Sequence, residues 1–375
     1  MNTKVSYRLF FLIGSFLLLT NMAWSQHETD SILEFATSQI YENPNVAIET
    51  AQEILNSPEA TTDTKVLALI VTSQAYSSKR EYEKSLESSR RAMEMFPKIS
   101  DKELKIKLLN RIGGQYQELN VYDKALTYLD EAYQLLKTFP ESPERLKLLG
   151  FNNLVRGFIY REQMSCEIAL DYFNSSIEAY KKIETLPNIS SNLSIAFYNK
   201  GNCLLSLDKT SEAKASFLQA ITYAQKNNAK SLVAFAKKGL AGFYTSVGDS
   251  EKAINLLTEA LQNSEEVGDK ILNRSIYDAL ANNYLVENDL KNYSLYKDKN
   301  LAVHNEITQT ERKTIDNSIQ NNMEVNAKKL DDLQTKNYLF RALLLLLIIV
   351  VIILIARSFS ASEKTLKVLK KELKL

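Results

Sequence analysis

Small, aromatic and large apolar residues recur along this chain at fixed intervals. A small residue followed three positions later by an aromatic or Leu occurs at Ser73/Tyr76, Gly113/Tyr116, Gly157/Tyr160, Gly201/Leu204, Ala241/Tyr244 and Ala281/Tyr284, in steps of 40, 44, 44, 40 and 40 residues. In the first five units a second small residue stands 12 positions on, at Ser85, Ala125, Ala169, Ala213 and Ala253, and a third stands 7 beyond that, at Ala92, Ala132, Ser176, Ala220 and Ala260. Leu129, Phe173, Phe217 and Leu257 fall between them. The internal spacings hold while the unit length varies, so insertions lie between units and each predicted helical hairpin keeps its geometry. A small residue at a helix crossing lets two backbones approach, and a ring one turn away fills the groove beside it. Turn signals separate the helices: Leu207-Asp208-Lys209 and Val247-Gly248-Asp249 within units, and Pro97, Pro140, Pro143, Pro187 and Gly268-Asp269 between them. One such hairpin exposes an apolar face that only stacked neighbours cover.

Two other runs depart from this rhythm. From Leu339 to Ala356 only Arg341 is charged, and the stretch from Leu343 to Ala356 is wholly apolar. With Tyr338 it makes about 19 residues, roughly 28 Å of helix, which matches a bilayer core. In lipid every backbone polar group must pair within the segment, so the span is a helix. Arg341 can snorkel to the headgroups with Tyr338 beside it. The competing reading is the buried core helix of a soluble protein. At the other end Lys4 and Arg8 precede an apolar run from Leu9 to Leu19, and Ala23-Trp24-Ser25 offers a cleavage site before Gln26. That is the layout of a secretory signal peptide, cleaved or kept as an anchor. No Cys stands near the cut, which argues against a lipoprotein.

Charge then orients the span. The tail carries Arg357, Lys364, Lys367, Lys370, Lys371 and Lys374 against Glu363 and Glu372. On the other flank Lys328, Lys329 and Lys336 are balanced by Glu324, Asp331 and Asp332. The positive side stays in the cytoplasm, so both ends of the chain predict export of residues 26–337. Ile319, Met323, Asn326, Leu330, Leu333 and Asn337 alternate in steps of 4 and 3, an imperfect coiled-coil seam. It predicts a helical stalk, either dimeric or a single solvated helix. Leu366, Leu369 and Leu373 begin another stripe, which either lies on anionic headgroups or opens a longer coiled coil.

Composition narrows the function classes. The chain has 375 residues, 45% apolar and 24% charged, with net charge +1, so bulk charge gives no argument for nucleic acid. Ten Gly and six Pro speak against a turn-rich β fold. Two His and two Cys leave little for metal or nucleophile chemistry. Cys166 and Cys203 could pair in an oxidising compartment, but they stand 37 residues apart in different predicted units and are read as unpaired small residues. No H-E-x-x-H, G-x-S-x-G or phosphate loop occurs. His27 and His304 have no readable acid or nucleophile partner. No cofactor, metal or catalytic residue is expected.

The small-x-x-Tyr, Ala, Phe or Leu, Ala pattern resembles the tetratricopeptide repeat family in its longer-unit form, over about residues 30–305. Leu69, Leu109, Asn153, Phe197 and Lys237 stand where the family has Trp, and the closing Pro is only approximated. Ala47, Ala51 and Ile54 mark a degenerate first unit, while Tyr293 and Asn300 replace small residues in the last. The resemblance implies an all-α, right-handed superhelical solenoid whose concave face, lined by the first helix of each unit, binds a peptide or protein segment. On that face it places Asn110, Phe158, Arg161, Tyr198, Asn202, Lys238, Asp278 and Asn282, either as a ligand surface or as a solvated inner face. Only Asn202 matches the family's two-carboxylate clamp, so a ligand with a C-terminal acid is not supported.

The expected organisation is a signal peptide (1–25), a degenerate hairpin (26–57), a repeat array (58–302), a stalk (303–337), a transmembrane helix (338–356) and a basic cytoplasmic tail (357–375). The expected function is a non-enzymatic binding scaffold in a bacterial inner membrane, its repeats periplasmic, with an unidentified protein or peptide partner. Homodimerisation would run through the stalk. The alternative is the input half of a signalling protein, since the chain also resembles bacterial tetratricopeptide sensors whose output domain is a DNA-binding module or a histidine kinase.

Overall fold

The computed structural model describes residues 31–40, 43–163, 165–267 and 269–372. The expected signal peptide and His27 lie outside the described residues, as does Leu373 of the tail stripe. So do the side chains of Ile319, Met323, Asn326, Leu330, Leu333 and Leu369. The described chain is all-α, as the periodicity predicts, with no strand among the described residues. Helix α1 covers 31–40. It is followed by α2 (Pro44–Asn56), α3 (Thr62–Ser78), α4 (Tyr82–Glu94), a 3-10 turn (Phe96–Lys98), α5 (Lys102–Glu118), α6 (Tyr122–Lys137) and α7 (Pro143–Glu162). Then come α8 (Cys166–Lys181), α9 (Ile189–Ser206), α10 (Thr210–Lys226), α11 (Lys230–Ser246), α12 (Ser250–Val267), α13 (Lys270–Val286) and α14 (Leu290–Glu372). The chain divides after Thr308 into two units.

In the first unit, helices pair as hairpins and the hairpins stack. From α3 onward each odd-numbered helix packs on the even one that follows and on the next odd helix, so α5, α7, α9, α11 and α13 form one layer. The sequence period has a direct packing cause. A Cβ added at Gly113 would stand 2.8 Å from Leu129, at Gly157 2.4 Å from the Phe173 ring, and at Gly201 2.7 Å from Phe217. Leu129, Phe173 and Phe217 are fully buried. The aromatic three residues on stacks against the residue 12 further along. Tyr116–Tyr128, Tyr160–Tyr172 and Tyr284–Tyr296 have centroids 5.6, 5.2 and 5.6 Å apart and nearly parallel rings.

The hairpin turns repeat as well. Arg80, Asn120, Asp208, Gly248 and Asn288 take the left-handed conformation, with φ of 62°, 59°, 57°, 78° and 59°. The next residue's N–H returns to the carbonyl of the signature residue: Glu81 to Tyr76, Val121 to Tyr116, Lys209 to Leu204, Asp249 to Tyr244 and Asp289 to Tyr284. This is the Schellman closure of a helix, a position that favours Gly. Arg80 is the member of the set least suited to it, because a long side chain gains no local hydrogen bond there. Arg80→Gly is expected to raise stability by about 0.5–1 kcal/mol, read as a higher thermal midpoint.

The last hairpin pairs α13 with the opening of α14. Asn300 takes the third small position, and its amide donates to the Arg274 carbonyl at 2.9 Å. Ser176, at the same register, donates to the Gly150 carbonyl at 2.8 Å. A polar residue is tolerated there because the facing helix offers an acceptor.

One expectation is corrected. Cys166 and Cys203 are not unpaired: they form a disulfide, with Cα atoms 5.1 Å apart. The chain between them goes out along α8 and back into α9, so distance along the sequence says nothing about their approach.

In the second unit, Lys336–Lys367 is helical and is, among the described residues, the one helix long and apolar enough to cross a membrane. Its large side chains are uncovered; Leu343 is 67% exposed and Ile352 59%.

Candidate binding face on the first helices

The odd-numbered layer carries the residues singled out from the sequence, and the structure sorts them. Asn110 is corrected: it does not line the face. It is 2% exposed, donates to the Leu148 carbonyl at 3.1 Å and accepts from Asn152 at 2.8 Å. Asn152 is fully buried; it also donates to the Leu129 carbonyl and accepts from Arg156 Nε, both at 2.8 Å. Arg156 reaches Asp130 at 2.6 Å. Asn110 thus belongs to a polar ladder that locks α5 to α7. Buried amides need such partners, and this one, enclosed between α5 and α7, offers no surface to a ligand.

Phe158, Arg161, Tyr198, Asn202, Lys238 and Asp278 are half-buried and Asn282 is exposed. The Arg161 guanidinium lies 5.9 Å from the Phe158 ring centroid and hydrogen-bonds Asn199 on α9 and Glu162. Phe158 tilts against buried Phe173 at 6.0 Å. Tyr198 packs 6.2 Å from Phe217 and edge-on to Phe235 at 5.8 Å. Asp278 accepts from Lys297 at 3.0 Å and from Asn282 at 3.4 Å. The Asp278 carboxylate holds Lys297 above its ordinary pKa. The structure therefore joins Phe158 with Arg161, and Asp278 with Asn282. It joins Tyr198 to Phe235, which sequence reasoning passed over.

Phe235 had a signal. It stands six residues before the small residue of its unit, in register with Phe151 and Ile195, and all three are half-buried. Phe151, Phe158, Ile195, Tyr198 and Phe235 give α7, α9 and α11 a partly uncovered apolar surface, with Lys238, Asn202 and Arg161 supplying donors. Such a surface can stack on side chains and hydrogen-bond an extended backbone. Among the described residues no group of three His, Cys, Asp or Glu could hold a metal ion.

Residues 195–227 match the tetratricopeptide repeat family. No curated protein matches the chain by sequence. Among solved structures, the chain is similar to NprR in complex with its cognate peptide NprX, with TM-score 0.53 and 13% identity over 80% of this chain and 88% of that one. It is similar to a Rap protein complexed with competence and sporulation factor, with TM-score 0.52 and 13% identity over 76% and 99%. It is also similar to a signal transduction ATPase with a tetratricopeptide repeat sensor from Pyrococcus horikoshii, with TM-score 0.51 and 15% identity over 78% and 44%. At these identities the likeness is one of fold. The chain carries a tetratricopeptide repeat and folds as an all-helical solenoid of that type.

Proposed function

We propose that this chain is a non-enzymatic scaffold that binds a protein or peptide segment on its first helices and is anchored in the inner membrane by α14. The observation that carries the binding reading is the run of half-buried rings on consecutive first helices, Phe158 on α7, Tyr198 on α9 and Phe235 on α11. Rings left partly uncovered beside donors are the usual anchors of a recognition surface. The complex of NprR with its cognate peptide, among the similar folds, is in keeping with it. The uncovered apolar helix supports the anchor, because such a surface is stable only in lipid or against another protein. The Cys166–Cys203 disulfide supports a periplasmic array, since such bonds persist in oxidising compartments. It agrees with the signal peptide and with the basic tail read from the sequence.

Tyr198→Ala combined with Arg161→Ala is the test of the face. Capture of the partner should fall about tenfold or more with the helical circular dichroism unchanged. Unchanged capture removes the face from the account. Protease added to spheroplasts should digest the array; survival there, with digestion after detergent lysis, would reverse the orientation.

A second reading is the input half of a transmembrane signalling protein. It is favoured by the bounds of α14, which begins in the last hairpin and includes the apolar stretch. An in-frame output domain following Leu375 in the gene would select it.

A further inference from the structure

Cys166 and Cys203 occupy registers that no other unit fills with cysteine. The residues matching Cys166 at the start of the other second helices are Tyr82, Tyr122, Thr210, Ser250 and Leu290. Those matching Cys203 are Ala75, Gln115, Ile159, Phe243 and Asn283. Elsewhere neighbouring first helices are held by non-covalent contacts: hydrogen bonds such as Asn152 to Asn110 and Thr245 to Asn283, and ring packing such as Tyr198 against Phe235. Only the boundary between α7–α8 and α9 carries a covalent bond as well, beside the Arg161 to Asn199 hydrogen bond. That boundary lies under the candidate face: Cys203 directly follows Asn202 and comes five residues after Tyr198.

The two sulfurs are not equivalent. Cys203 is fully buried, whereas Cys166 is half-buried and is the first residue of α8. A thiol from solvent therefore approaches the bond from the Cys166 side. The old S–S bond breaks, Cys203 leaves as a thiolate and takes a proton, and Cys166 is held as a mixed disulfide. A second donor thiol attacks the donor sulfur and releases Cys166. The Cys166 thiolate is a good leaving group because the unpaired N–H groups and the dipole of the α8 N-terminus favour its charge. Two donor thiols have then become one disulfide, and the protein has gained two electrons and two protons. An oxidised dithiol donor runs the sequence backward.

We propose that the Cys166–Cys203 bond is a reversible lock on the binding face. Closed, it holds α7–α8 and α9 in one register; opened by a dithiol-class reductant, it loosens that boundary and leaves the rest of the array folded. The stacked architecture permits this, because each hairpin depends chiefly on its neighbours. The consequence for ligand capture rests on the proposed binding face; the lock itself does not.

The full chain in detergent is equilibrated against graded ratios of reduced to oxidised glutathione. Thiols are trapped with maleimide and counted by mass, and amide exchange is read at both ends of the series. Two thiols should appear together and reversibly. Exchange within residues 143–206 should rise about tenfold while α3–α4 and α13 stay unchanged. Cys166→Ser/Cys203→Ala should match the reduced protein at every ratio. The lock is overturned if the bond stays closed at all ratios or never forms. It is also overturned if exchange is unaltered by opening, or if opening melts the whole array. A working lock in a chain whose array resists spheroplast proteolysis would sink the periplasmic reading and leave this one standing.

Discussion

Gly157→Val is expected to destabilise the centre of the array by about 3 kcal/mol or more, as overpacking at a close helix crossing does. A Cβ at Gly157 would lie 2.4, 2.6 and 2.9 Å from three carbons of the Phe173 ring. That ring is fully buried and tilted against Phe158, so it cannot swing aside. The added bulk must push α7 off α8, and with it the Phe158 and Arg161 side of the candidate face. Because the array is quasi-one-dimensional, the loss should be local: amide exchange should rise most in α7, α8 and α9. Gly242 is the internal control, since a Cβ there meets nothing nearer than Leu205 at 3.9 Å. Gly242→Ala should hold or raise stability by up to about 1 kcal/mol through better helix propensity. Equal thermal midpoints for the two variants would mean that the close crossing at Gly157 does not exist.

Asn152→Ala is expected to cost about 3 kcal/mol, although it removes a small polar side chain. The amide serves Asn110 Oδ1, the Leu129 carbonyl and Arg156 Nε, each at 2.8 Å. Deleting it strands groups that are buried with it, and each such loss is worth about 1–3 kcal/mol without simple addition. The charged end of Arg156 keeps Asp130, which limits the total. Because the two amides share one hydrogen bond, Asn110→Ala and Asn152→Ala should be non-additive in urea unfolding, with a coupling of roughly 1 kcal/mol. Strict additivity would deny the ladder. Partner capture by Asn110→Ala, measured where the variant is folded, should be close to that of the parent, because the side chain faces α7 and not a ligand.

The two variants mark where sequence reasoning reached and where it stopped. Gly157 and Phe173 could be paired in advance because both belong to one hairpin and recur at the same offsets as Gly113 with Leu129 and Gly201 with Phe217. Asn110 and Asn202 illustrate the limit. Both are amides on first helices and both are candidates for a ligand surface in the sequence, yet Asn110 is buried in the ladder and Asn202 is half-buried on α9. Their residue type is the same; the neighbours on the adjoining helix differ. Phe235 shows a recoverable omission, since its offset from Ala241 repeats that of Ile195 from Gly201.

What the amino-acid order determined by itself was the helical hairpin, its period and its stacking, together with one uncovered apolar helix. The hairpin and its period depend on contacts 12 to 19 residues apart, between helices joined by a short turn, and a local contact leaves a repeating trace in the chain; stacking follows from the apolar face each hairpin leaves open, and the apolar helix is one uninterrupted run. Only the tertiary structure decided that Cys166 meets Cys203, that Asn110 turns inward, and that Tyr198 meets Phe235. These contacts join neighbouring hairpins across about 40 residues, where one side chain's surroundings are set by how the next unit is packed against it.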